Sequence, residues 1–130
     1  MGARRGTPAA KAKVTFPRRG EVYLVAFDPT VGAEIRKTRP AVIIQNDIGN
    51  RASSTTIVAA VTSQVKEPLY PFEVRIGVGE GGLKKPSVVL LDQIRTVDRA
   101  RLLRRLGTLH HDTMVRVDSA LMISLSLVEL

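Results

Sequence analysis

The chain has 130 residues, 44% of them hydrophobic and 25% charged, which suits one compact domain with a modest core. It has no cysteine, so disulfides and thiolate metal sites are excluded, and its two histidines, His110 and His111, lack the spacing of a zinc-binding helix or finger. A formal net charge of +8 points to a polyanionic partner such as nucleic acid, although six of the cations (Arg4, Arg5, Lys11, Lys13, Arg18 and Arg19) crowd into the first 20 residues with no acid among them. Residues 1–18, rich in Pro, Gly and small residues without periodicity, read as a disordered basic tail ahead of a domain over 19–130. No apolar run reaches the ~20 residues of a membrane span, and the N-terminus lacks a signal-peptide core, so the expectation is a soluble, cytoplasmic protein.

The organised part begins with "GEVYLVAF" (20–27), whose alternation predicts a half-buried strand. "DPTVGAEIRKT" (28–38) breaks it with Asp-Pro and Gly, and its length exceeds what a hairpin needs, which favours a binding loop. "RPAVIIQN" (39–46) and "TTIVAAVT" (55–62) are β-branched, nearly continuous apolar runs joined by the turn-forming "DIGNRASS". They predict an antiparallel pair covered on both faces or curled into a small barrel. "YPFEVRI" and "PSVVLLDQIRTV" predict further strands around the glycine-rich "GVGEGGLKK", while "DRARLLRRLGTL" suits either a helical turn or a last strand. "DTMVRVDSALMISLSLVEL" predicts a C-terminal helix capped by Asp112, with Met114, Val117, Leu121, Leu125 and Val128 on one stripe and His110 and His111 in the loop before it.

Pairing the two central strands with Asn46 opposite Thr55 sets Arg39 opposite Thr62. Directly opposed residues share a face with Cβ atoms roughly 5 Å apart. A guanidinium and a hydroxyl then converge beside a loop carrying Glu34, Arg36 and Lys37, a combination suited to a phosphate group. A register slip of one residue separates them.

Several segments, "RRGEVYLVAFDPTVGAEIRKTRPAVIIQNDIGN", "TTIVAAVTSQ" and "VVLLDQIRTVD", together resemble the MazF/PemK (Kid) family of toxin endoribonucleases from type II toxin–antitoxin pairs, with the motifs in order from about Arg19 to the end. The resemblance implies a mainly β (α+β) fold, an SH3-like, strongly bent antiparallel β-barrel with a C-terminal helix, assembled as a homodimer. It also implies a metal-independent, cofactor-free ribonuclease that cuts single-stranded RNA within a short sequence and is neutralised by a MazE-like antitoxin. The family's catalytic arginine and threonine fall on Arg39 and Thr62, and a loop acid important in some relatives falls on Glu34. Arg36 and Lys37 stand where many members carry small residues, often glycine, and add cations for RNA contact. Further RNA contacts map to Asn46, Gln64, Tyr70 and Gln93.

Cleavage through a ribose 2′-hydroxyl needs a base, a group that stabilises the pentavalent phosphorane, and a proton for the leaving 5′-oxygen. Arg39 suits stabilisation; its pKa above ~12 makes it a poor base, and Glu34 is the alternative. Thr62 fits as a hydrogen-bond donor and not as a nucleophile, since no base neighbours it in the pattern. Two other classes are compatible with such a barrel. One is a gyrase-poisoning toxin of the CcdB type, which depends on a tryptophan-containing tail, whereas this chain ends "SLVEL" and has no Trp. The other is a non-catalytic SH3-like nucleic-acid module, which would bind RNA with steep salt dependence and leave it uncut.

Overall fold

A computed structural model describes residues 16–27 and 38–129. Its elements, in chain order, are β1 (Glu21–Ala26), β2 (Thr38–Ile43), α1 (Asp47–Ala52), β3 (Thr55–Thr62), β4 (Glu73–Ile76), β5 (Ser87–Asp98), β6 (Leu102–Thr108) and α2 (His111–Ser124). Short 3-10 turns occupy Glu80–Gly82 and Arg99–Arg101. The strands form one antiparallel sheet in the order β4-β5-β3-β2-β1-β6. The architecture is mainly β with a C-terminal helix.

The continuous apolar runs of β2 and β3 follow from burial on both faces. Successive side chains alternate, so Val42, Ala59 and Val61 join one cluster, which also contains Val117 and Ala120 of α2. Ala41, Ile43 and Val58 join a second cluster with Val25, Phe27 and Val97. Leu102 of β6 packs on that second cluster too, so the sheet curls until the end of β5 and the start of β6 share one core.

The bend is concentrated in β5. Ala59 pairs with Ile94 but the next residue, Ala60, pairs with Leu90, which leaves Leu91, Asp92 and Gln93 as a bulge. The freed backbone groups of Leu91 find other partners: its N–H donates to Phe72 O at 3.0 Å and its carbonyl accepts the Ser124 hydroxyl at 2.6 Å. The bulge thereby ties the approach to β4 to the last turn of α2.

Several expectations are corrected. The "DIGNRA" segment is the helix α1 and not an irregular turn. Asn46 caps it by accepting the Gly49 N–H at 2.8 Å, and the fully buried Asn50 anchors it. The preceding strand accordingly stops at Ile43 and does not run to Asn46. The C-terminal helix starts at His111, with His110 at the cap position and Asp112 in the first turn. It ends at Ser124, so Leu125 and Val128, expected on its apolar stripe, lie beyond the helix and are exposed in the single chain. The 98–109 segment resolves into both alternatives, a 3-10 turn followed by β6. Phe16–Arg18, assigned above to the tail, are part of the described structure: Pro17 is buried and the Arg18 N–H donates to Glu21 Oε1 at 2.8 Å. Residues 1–15 lie outside the described residues.

Candidate active site

β2 and β3 pair as Ala41 with Ala60, Val42 with Ala59 and Ile43 with Val58, the register expected from the sequence. Carried two residues further along each strand, this register sets Arg39 across from Thr62, on the same face as Ala41 and Ala60. The flanking ladders extend the row: Val25 of β1 pairs with Arg39, and Val88 of β5 pairs with Thr62. Both polar residues are half-buried at the end of their strands, where the curled half of the sheet gives way to the part formed by β4 and β5.

The Thr62 Oγ1 accepts the Gln64 N–H at 3.1 Å. With its oxygen used as an acceptor, the hydroxyl keeps its own proton for donation. Thr62, Gln64 and Tyr70 line one cleft of about 120 Å³, together with Lys66 and Glu73. The Tyr70 ring is 64% exposed and stacks flat on Phe72, with centroids 5.2 Å apart and an interplanar angle of 5°. Glu73 Oε1 accepts the Tyr70 N–H at 3.0 Å, which fixes the turn that carries the ring. The cleft thus joins a hydroxyl donor, an amide, an ammonium, a carboxylate and an open aromatic face, the groups that hold a phosphodiester and an unstacked base.

Of the expected site residues, Thr62, Gln64 and Tyr70 line this cleft, and Arg39 holds the strand position that the register sets across from Thr62. Asn46 lies at the opposite end of the β2–β3 hairpin, where its side chain is engaged in capping α1. Gln93 is exposed within the β5 bulge, five positions along from the Thr62 partner Val88. Glu34, Arg36 and Lys37 lie outside the described residues. Lys66 and Glu73 escaped the sequence reading because their approach depends on the fold of the Gln64–Phe72 connection; a cation two residues after Gln64 was the one available hint. Arg95, which the β5 motif contains, also comes near: its guanidinium lies 5.1 Å from the centroid of Phe27, beyond Val25 at the end of β1.

On the same sheet face, burial raises the Tyr23 phenol above its ordinary value, and the negative charge and hydrogen bond of Glu21 push it further in that direction. Glu21 is itself buried and meets Arg105 Nη1 at 3.4 Å. Among the described residues, no three carboxylate or imidazole side chains converge as a metal ion requires.

Residues 18–125 match the family described as PemK-like, MazF-like toxin of type II toxin-antitoxin system. The chain is 46% identical over 112 residues to the endoribonuclease EndoA of Bacillus subtilis (strain 168), covering 86% of this chain and 97% of that protein. Among solved structures it is similar to MazF (Form-I) from Deinococcus radiodurans, with a TM-score of 0.71 and 29% identity over 87% of this chain and 99% of that one. It is also similar to a chain of the MazE-MazF complex (Form-II) from the same organism, with a TM-score of 0.74 and 28% identity over 88% and 100% of the two chains. Matched along most of its length by the family and close in sequence to an endoribonuclease, the chain belongs to the PemK-like, MazF-like toxins of type II toxin–antitoxin systems.

Proposed function

We propose that this protein is a cytoplasmic endoribonuclease toxin that cuts single-stranded RNA within a short sequence, without a metal ion, using the domain over 19–130. The ribose 2′-oxygen attacks the adjacent phosphorus, the bond to the 5′-oxygen breaks and that oxygen takes up a proton from solvent, so the products carry a 2′,3′-cyclic phosphate and a 5′-hydroxyl. In this scheme the Arg39 guanidinium stabilises the charge that builds on the phosphorane, and its planar fork suits two phosphate oxygens. The Thr62 hydroxyl donates to the same group. Glu34 takes the 2′-hydroxyl proton, since an arginine holds its own too tightly to serve as a base. Gln64 and Tyr70, with Arg36 and Lys37, contact the RNA around the cut. A single observation supports the assignment: the β2–β3 register which, continued two residues past Ala41 and Ala60, sets Arg39 across from Thr62, itself a wall of an open cleft.

Two further parts of the reading concern partners, and the relative seen in a MazE-MazF complex supports the second of them. The toxin is a homodimer, and a MazE-like antitoxin covers the groove and blocks RNA. The test is incubation of the purified protein with a mixed-sequence RNA in EDTA, followed by mapping of the breaks and their ends. Cuts at a recurring short sequence with cyclic phosphate and 5′-hydroxyl ends are expected. Ends bearing a 5′-phosphate, or cleavage only after a divalent ion is restored, would overturn the chemistry.

A further inference from the structure

The end of the sheet away from Thr62 holds a second concentration of guanidinium groups, one the cleavage chemistry does not use. Phe16 carries two of them: Arg18 lies 5.1 Å and Arg51 5.2 Å from its ring centroid. They come from different elements, the segment leading into β1 and the last turn of α1, and both side chains are exposed. Arg99, from the turn after β5, donates Nη2 to the carbonyls of Asn50 and Arg51 and so clamps the end of α1 that bears Arg51.

The acids at this end already have partners. Asp47 accepts the Arg19 N–H at 2.7 Å and the Asn50 amide at 3.1 Å, and its charge offsets part of Arg18. Asp118 accepts the Arg19 guanidinium at 2.7 Å, and Asp98 caps the Ala100 N–H at 2.8 Å. The chain enters Phe16 from residues 1–15, which contain Arg4, Arg5, Lys11 and Lys13 and no acid. Stacking on the ring restricts both exposed arginines before any ligand arrives, which lowers the entropy lost on binding. Two cations gathered at one ring add to the local positive potential, which an anion beside either of them lowers.

We propose that Arg18 and Arg51, set by Phe16 and Arg99, form a phosphate-backbone contact for RNA that extends beyond the cleaved segment. The identity of the ligand rests on the ribonuclease reading above; the patch itself does not. Guanidinium forks match phosphate oxygens, and the patch offers no cleft for a base, so its contribution is affinity for long RNA and not choice of sequence. Since α1 lies at the opposite end of the β2–β3 hairpin from Arg39 and Thr62, only a strand longer than the cleaved motif reaches both.

The test uses the full chain, wild type and the double variant Arg18→Gln, Arg51→Gln, with two RNAs: an oligonucleotide confined to the cleaved motif, and a long strand with the same motif and flanks. Binding of 2′-O-methyl versions, which cannot be cut, is followed by fluorescence anisotropy across a salt series. For the long RNA the variant should bind about 10-fold more weakly at low salt, with a log–log salt slope shallower by about 1.4 for two lost contacts. Cleavage of the short oligonucleotide should be unchanged. Unchanged affinity and slope for the long RNA would overturn the proposal, as would an equal loss on the short one. Should the wild type cut no RNA, the ribonuclease reading fails while the anisotropy still reports on the patch. If the double variant does not fold, each single variant is expected to remove about half of the slope change.

Discussion

The backbone N–H of Gln64 points back at the Thr62 hydroxyl, 3.1 Å away, and this hydrogen bond orients the last side chain of β3 toward the cleft. Thr62→Val removes the donor and leaves the exposed Gln64 amide to water. It should lower the single-turnover cleavage rate about 100-fold or more, while Thr62→Ser retains most of it. Because Thr62 is half-exposed, the melting temperature should move little. A valine variant that cuts at the wild-type rate would remove Thr62 from the reaction.

Arg39 separates charge from geometry. Arg39→Lys keeps a cation in the row between Val25 and Thr62 but loses the planar fork, so its rate should fall between those of the wild type and Arg39→Ala. The alanine variant should lose at least about 100-fold with the fold intact by circular dichroism. Equal rates for lysine and arginine would show that a point charge suffices.

Asn50 is a purely structural prediction. Its Oδ1 accepts from Gln45 Nε2 at 3.0 Å and from the buried Thr56 hydroxyl at 2.6 Å, and its Nδ2 donates to Gln45 O at 2.9 Å. Asn50→Ala leaves several of these groups unsatisfied in a site closed to water. A loss of about 3 kcal/mol in urea unfolding is expected, with cleavage well below the midpoint preserved.

Gly82 tolerates no side chain. Its φ is +76°, and a Cβ would fall 2.0 Å from the Leu106 carbonyl oxygen and 2.6 Å from its carbon, both backbone atoms. Gly82→Ala should cost about 3 kcal/mol or more and lower the melting temperature accordingly, because the turn over β6 must move away.

Asp47 gives a pH signature. The Arg19 N–H holds its carboxyl below the usual value, against a smaller opposing effect of desolvation and with help from Asn50 and the nearby arginines. A folded pKa below the unfolded one means that this stabilisation is complete above the unfolded pKa and drains as pH falls through the folded one. The wild type should therefore lose more stability than Asp47→Asn as the pH falls below about 5. Glu80 is lowered as well: desolvation works upward on it but is outweighed by the Thr113 hydroxyl, the His110 N–H and nearby cations. Its contribution persists in both proteins, so the difference between the two curves isolates Asp47. Parallel curves would show that the Arg19 contact carries no linkage.

The hairpin of β2 and β3 was legible because its information is local: two β-branched runs bounded by turn formers, with an alternation that both faces enforce. The register followed, and with it the opposed strand positions of Arg39 and Thr62. Helix α1 was not legible, since "DIGNRA" has the composition of a turn and is helical through one cap and one buried amide from the surrounding fold. That error displaced Asn46, which a strand extending to 46 would have presented as a further ladder residue. The C-terminal stripe failed for a similar reason. Ser124 turns its hydroxyl onto the Leu91 carbonyl, and the periodic apolar residues after it belong to a segment already past the helix end. Lys66 and Glu73 are set by how a connection folds back over β5, which no period in the sequence encodes.

The three unpaired residues of β5 make that strand a frame on which the active face and the hydrophobic floor are in phase only by their number. Val88 and Leu90 on one side of the bulge face Thr62 and Ala60, while Ile94 onward follows the alternation of the far half. Deleting one residue among 91–93 would turn one half over relative to the other and send core side chains to solvent. Length at this point should consequently be far less negotiable than side-chain identity, and a variant library should recover substitutions at Asp92 and Gln93 while single-residue deletions vanish from it.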